Sequence, residues 1–291
     1  MFDKLGIYQT RFWLENKTVK IIEKSSSRFL LELFSKVDDL TDRDLVYYDN
    51  AMDMETCFDK YSFQEHKWHQ TPNGDMEWVY MLNRQGYLVD LAIAFYLTKK
   101  EKFFEKWKLI VFDFIETNEA EISHPEASWR VLDAGIRLMN WIKSFTYLPL
   151  DKLTEVEKDR IHASMKKHAD YIKSHLQEKH LLSNWGVLAV SGVLSFVYFD
   201  TKELEMHEWA KKTLIQQAAL QFTPKGIHWE QSPLYHHEVV MCYAYLYQVA
   251  ETLDNGDADV WKKILRNPVQ ATYYLSNSKH ELLALNDSDA V

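Results

Sequence analysis

The chain has 291 residues, of which only 8 are glycine and 6 are proline. That share, roughly 5% against an average usage near 12%, leaves too few turn residues for a β-sandwich or a doubly wound sheet. With 34 basic and 43 acidic residues the formal charge is −9, which argues against non-specific nucleic-acid binding, and a hydrophobic share of 46% excludes intrinsic disorder. A mostly helical globular protein is expected. Ten tryptophans and sixteen tyrosines suit either a large helical core or a groove where rings stack on sugars. Cys57 and Cys242 lie far apart, match no metal spacing and make no disulfide scaffold.

The first residues lack the apolar stretch of a signal peptide, so the chain reads as cytoplasmic, or as periplasmic or secreted if a leader has been removed. Residues 1–60 form an irregular segment expected to pack on the rest, with one helix over 17–37. From residue 76 the helical period dominates. Trp78, Met81, Leu82, Leu88, Leu91, Ala92 and Phe95 fall largely at three- and four-residue steps, and Phe103, Phe104, Trp107, Ile110, Val111 and Phe114 repeat the pattern. Further helices are expected at 127–146, 153–178, 184–199, 201–222, 234–253 and 257–276, with a capping box at Thr154 and Glu157. Residues 181–199 carry no charge but include Ser183, Asn184, Gly186, Ser191 and Gly192, so they read as a buried helix rather than a membrane span. No solenoid period emerges. Short linkers between paired helices predict a closed or nearly closed ring of antiparallel hairpins over 61–291. The sequence stops after an apolar run, which suggests truncation.

Twelve histidines invite a metal reading, yet neither HExxH nor another ligand spacing is present, and the adjacent His236 and His237 cannot easily chelate together. No metal and no cofactor is expected. Phosphate loops, nucleophile elbows and kinase signatures are absent as well. Three segments resist explanation as packing. Asn83 and Arg84 interrupt an apolar helical stretch, either as its solvated face or as buried groups with partners. Asn184, at the front of the uncharged helix, is either a helix cap or a functional amide. Residues 226–237 crowd His228, Trp229, Glu230, Tyr235 and His236 at a loop–helix junction, either as an aromatic anchor or as a site.

In this order, these segments resemble the N-terminal domain of the heparinase II/III-like polysaccharide lyases. The resemblance covers about residues 60–291 and rests on Trp-Val-Tyr-Met-Leu-Asn-Arg (78–84), Ala-Ser-Trp-Arg-Val-Leu-Asp-Ala-Gly-Ile-Arg (127–137), Ser-Asn-Trp-Gly (183–186) and Glu-Gln-Ser-Pro-Leu-Tyr-His (230–236). It implies an all-α fold, an incomplete (α/α) toroid, followed by a β-sandwich domain that this chain lacks. Asn-Asp-Ser-Asp (286–289) resembles the family's link into that domain. Trp185 stands where some relatives have histidine after the asparagine, which is closer to the heparinase III side of the family than to its alginate lyases.

The implied activity is β-elimination on a uronic-acid glycosaminoglycan, heparan-sulfate-like or unsulfated; the acidic chain suits a sparsely sulfated polymer. Elimination needs a group that neutralises the uronate carboxylate, a base for the C5 proton and an acid for the leaving oxygen. By resemblance Asn184 is the neutraliser and Tyr235 the proton carrier, while a further histidine comes from the β domain. A tyrosine base needs a depressed pKa or a cationic neighbour, and His236, Arg84 and Arg130 are the candidates to provide that environment. His69, Arg84, Trp129, Arg130, Trp185, Glu230 and His236 are the expected substrate contacts. The expected partners are an acidic polysaccharide and the β domain, with no nucleic acid and no membrane. Two rival readings remain: a glycoside hydrolase using carboxylates such as Glu230, Asp133 and Glu126, and a carbohydrate-binding domain without catalysis.

Overall fold

A computed structural model describes residues 1–12, 24, 27–46, 60–63, 68–118 and 124–288. The chain divides into two compact units, residues 1–167 and 168–291.

In the first unit, α1 (Phe2–Phe12) and α2 (Ser27–Asp42) precede a minimal antiparallel pair, β1 (Leu45–Val46) with β2 (Tyr61–Ser62). Then come α3 (Met76–Arg84), α4 (Tyr87–Thr98), α5 (Glu101–Thr117), the single turn α6 (Pro125–Ser128) and α7 (Val131–Phe145). The early helix lies at 27–42; residues 17–23 and 25–26 of the expected one fall outside the described residues. Helix α4 packs on α5 and α7, α3 packs on α7, and α2 covers α4 and α5. Trp78, Trp107, Trp141, Phe103, Phe104 and Phe114 fill the interior. Helix α1 docks through Gln9, whose carboxamide donates to the carbonyls of Phe145 and Leu148.

The apolar run from Trp78 to Phe95 does not make one helix. It breaks at Gln85, which adopts a left-handed φ of +54°. Two side chains of α7 hold the break: Asn140 Nδ2 donates to the freed Arg84 carbonyl at 2.8 Å, and Trp141 Nε1–H donates to the Gln85 side-chain Oε1 at 2.6 Å.

Helix α8 (Glu155–His175) starts in the first unit and ends in the second. The expected capping box opens it: Glu157 N–H donates to Thr154 Oγ1, and Thr154 N–H to Glu157 Oε2. The second unit contains α9 (Asn184–Val197), α10 (Leu204–Gln221), α11 (Pro233–Thr252) and α12 (Ala258–Tyr274). Helix α9 packs against both α10 and α11, and α11 pairs with α12. Every residue from Leu188 to Phe196 is buried. The uncharged stretch is thus the core helix that its composition predicts. Among the described residues no helix is long and apolar enough to cross a membrane.

Candidate active site

The second unit brings Asn184, Trp185, Glu230, Tyr235 and His236 onto connected pieces of chain. Ser183 caps α9, its hydroxyl accepting Trp185 N–H at 3.2 Å. The cap is therefore Ser183, and the Asn184 side chain is not used for it. Asn184 is 5% exposed, and its backbone N–H donates to Glu230 Oε1 at 3.2 Å. Its carboxamide has no hydrogen-bond partner among the described residues. Gly186 lets this turn seat itself, because a Cβ there would lie 1.9 Å from the His180 carbonyl oxygen. Burial pushes the Glu230 carboxyl up from its ordinary pKa; the Asn184 N–H opposes that rise and the nearby Asp287 adds to it.

A buried glutamine couples the two chain segments. Gln221 Nε2 donates to the carbonyls of Leu181 and Ser183, and its Oε1 accepts from His228 Nε2 at 2.8 Å. Phe222 and His228 pair across the intervening loop, and Trp229 N–H donates to the Gln221 carbonyl at 2.8 Å. Glu230 is thereby delivered to the first turn of α9. Two residues later Ser232 caps α11, accepting Tyr235 N–H. The N-termini of α9 and α11 thus meet around Glu230, and their dipoles favour negative charge at that corner. Tyr235 stands in the first turn of α11, half-buried. The closing segment clasps the same turn: Ser288 Oγ accepts Leu234 N–H at 3.1 Å, and Asn286 Nδ2 donates to the Gln231 carbonyl at 2.8 Å.

His236 does not supply a cation. It is 1% exposed; Nδ1 accepts His228 N–H, so its proton sits on Nε2, facing Thr272 Oγ1 at 2.9 Å and the Pro268 carbonyl. Burial pushes His236 and His228 down to about 4. The sign follows from linkage. Unfolded chains take up these protons near pH 6.5, whereas the folded rings do so only near 4, so the stability present above pH 6.5 is lost as pH falls between those values. Each ring contributes on the order of 3 kcal/mol to that loss. The His207–Asp257 ion pair, 2.8 Å long, has the opposite sense for its histidine, which is raised by the carboxylate and stabilises the fold most below pH 6.5. Nitrogen-15 spectra at pH 5.5 should therefore show neutral His228 and His236, and the thermal midpoint should drop from pH 6.5 to 4.5. Protonated rings at pH 5.5 would contradict the burial argument.

The first unit holds the other expected contacts. Arg84 and Arg130 share the fully buried carboxylate of Asp133, through Arg84 Nε at 2.8 Å and Arg130 Nε at 2.6 Å. The Arg130 guanidinium also lies on the Tyr80 ring, 3.1 Å from its centroid. Arg84 is thus neither on a plain solvated face nor buried alone: it is partly buried and paired. Asn83 is buried, donating to the carbonyls of Trp68 and Val79, while Arg137 Nη1 donates to those of Asn83 and Ser128. Trp129, expected to touch substrate, lies in the core at 1% exposure, its Nε1–H donating to the Asn118 carbonyl. His69 stacks on His124 with ring centroids 3.8 Å apart. Of the three carboxylates considered for hydrolysis, Glu230 stays at the site, but two are poorly placed for it: Asp133 is consumed by its arginines, and Glu126 is exposed beside His124. Among the described residues no group of three His, Cys, Asp or Glu side chains is placed to hold a metal ion.

Sequence reasoning overlooked Gln221, and it named Trp229 only as part of the 226–237 segment, not as a substrate contact. Trp229 is 47% exposed next to Glu230, and its Nε1–H donates to the Leu182 carbonyl at 2.7 Å. An exposed indole has no signature in a single sequence. The glutamine is marked only by its place at the end of α10, just before the motif-bearing loop.

Comparison with known proteins gives the arrangement a family. No curated protein sequence matches. Among solved structures, the chain is similar to heparan sulfate lyase HepC of Pedobacter heparinus, with 17% identity, a TM-score of 0.67, and coverage of 89% of this chain and 41% of that one. A solved structure of heparinase III matches with 16% identity, a TM-score of 0.71, and coverage of 89% of this chain and 42% of that one. A second heparinase III gene product gives 16%, 0.63, 89% and 42%. The chain spans about two fifths of the length of these proteins. At this identity the likeness shows the fold alone, and it is the helical fold that the motifs implied. The family described as Heparinase II/III N-terminus matches residues 13–291, nearly the whole sequence, and the chain belongs to that family.

Proposed function

We propose that this chain is the helical part of a polysaccharide lyase that cleaves a uronic-acid glycosaminoglycan by β-elimination, working with a β-sandwich domain that follows it. The observation that carries this reading is the Asn184 carboxamide: buried, without a partner among the described residues, and set where two helix N-termini meet. Such an amide suits a substrate carboxylate. Its N–H donates to the uronate and stabilises the charge that builds there as the C5 proton leaves. The phenol of Tyr235, in the adjoining turn, carries the proton. The C5–H electrons form the C4–C5 double bond, the C4–O bond breaks, and the glycosidic oxygen takes up a proton from an acid, Tyr235 or the β domain's histidine. Because His236 is neutral, any cation that lowers the Tyr235 pKa is another group.

The acidic chain favours a sparsely sulfated or unsulfated polymer. The deciding experiment incubates the protein carrying its β domain with hyaluronan, chondroitin, heparan sulfate and alginate, and follows ultraviolet absorbance. A rise with at least one polymer, from an unsaturated uronate product, is expected. New reducing ends without that absorbance would mean hydrolysis and would remove the lyase reading.

A further inference from the structure

Tryptophan is distributed unevenly between core and surface. Of the nine described tryptophans, Trp68, Trp78, Trp107, Trp129, Trp141 and Trp261 are at most 5% exposed. Only Trp185 and Trp229 are exposed, at 41% and 47%, and both adjoin the Asn184–Glu230 hydrogen bond: Trp185 follows Asn184, and Trp229 precedes Glu230. Such exposure forgoes burial that the other indoles obtain, and an indole offers a ligand both an apolar face and a polar N–H edge. Nor is the Trp229 ring loose. Its Nε1–H is held by the Leu182 carbonyl and its backbone N–H by the Gln221 carbonyl, so the ring is fixed before any ligand arrives.

We propose that Trp185 and Trp229 form a stacking platform for a pyranose ring, a subsite beside the ring whose carboxylate meets Asn184. The proposal rests on the lyase reading for the identity of that neighbouring uronate. A sugar fits the chemistry better than a protein or lipid surface. A pyranose presents a C–H face that the electron-rich indole attracts, and a rim of hydroxyls that need polar partners. Both are on offer within one residue of each indole: two apolar ring faces, the open Asn184 carboxamide and the half-buried Glu230 carboxyl. Lipid or protein docking would leave that buried amide unsatisfied.

The test compares the wild-type protein carrying its β domain with its Trp185→Ala, Trp229→Ala and Trp229→Phe variants, each titrated with oligosaccharides of hyaluronan, heparan sulfate and alginate. Binding is followed by tryptophan fluorescence and calorimetry, and elimination by ultraviolet absorbance. Wild type should bind at least one oligosaccharide with a change in fluorescence. Each alanine variant should weaken that binding by about tenfold or more, raising KM further than it lowers kcat. Trp229→Phe, which keeps an aromatic face, should recover most of the loss, and Trp185→Ala should keep the wild-type thermal midpoint. Unchanged affinity in both alanine variants, or no binding by wild type, overturns the platform. The two readings separate cleanly: tryptophan-dependent binding without elimination removes only the lyase assignment, whereas elimination with an unaltered KM in both variants removes only the platform.

Discussion

Replacing Tyr235 by phenylalanine should lower the elimination rate of the protein carrying its β domain by about 10²–10⁴-fold, the usual loss when a general acid–base group is removed. The ring remains and α11 keeps its Ser232 cap, which bonds the backbone of residue 235 rather than its side chain. Fold and substrate affinity should therefore change little. Asn184→Ala should cost about 10²–10³-fold in kcat, as expected for one donor to a developing oxyanion. Since the Asn184 carboxamide contributes no hydrogen bond to the fold among the described residues, that variant should unfold within a few degrees of wild type. Steady-state kinetics and thermal melts check both. Wild-type turnover in Tyr235→Phe would exclude the phenol as proton carrier.

The second large effect is on stability. Asp133→Ala should destabilise the protein by about 3–5 kcal/mol, because it removes the fully buried anion that the partly buried Arg84 and Arg130 share. Arg84 ends α3, and Arg130 and Asp133 open α7, so the loss should appear as a weakened α3–α7 contact. Asp133→Asn keeps the volume and some hydrogen bonding and should lose less. Denaturant titration of both variants measures the difference. A cost below about 1 kcal/mol for alanine would show that the arginines find water or other partners, and that the shared carboxylate does not hold the helices together.

The helical elements were legible in the sequence because several signals agreed. Scarce glycine and proline, a sustained helical period and a capping box at Thr154 all pointed one way, and α8 to α12 lie close to their expected bounds. The break at Gln85 was not legible. Glutamine carries no turn signal, and the Trp141 indole that holds its side chain lies 56 residues further on. The same limit applies to Arg84. An arginine in an apolar helix demands a partner, but nothing local names Asp133, 49 residues away. Trp129 shows a different failure: its motif marks it, yet an indole whose N–H reaches a buried carbonyl belongs to the core. Asn184 was legible as a candidate, but only geometry shows that Ser183 does the capping and leaves the carboxamide open.

The clasp of residues 286–288 on the first turn of α11 has a consequence for the order in which the protein matures. Leu234 and Gln231 depend on side chains from beyond the end of α12, which leave the ribosome only after the whole α11–α12 hairpin. During synthesis Tyr235 is therefore present long before the turn that carries it is tied down. A released chain cut after residue 285 should keep its helical core but lack the two side-chain ties on the tyrosine turn.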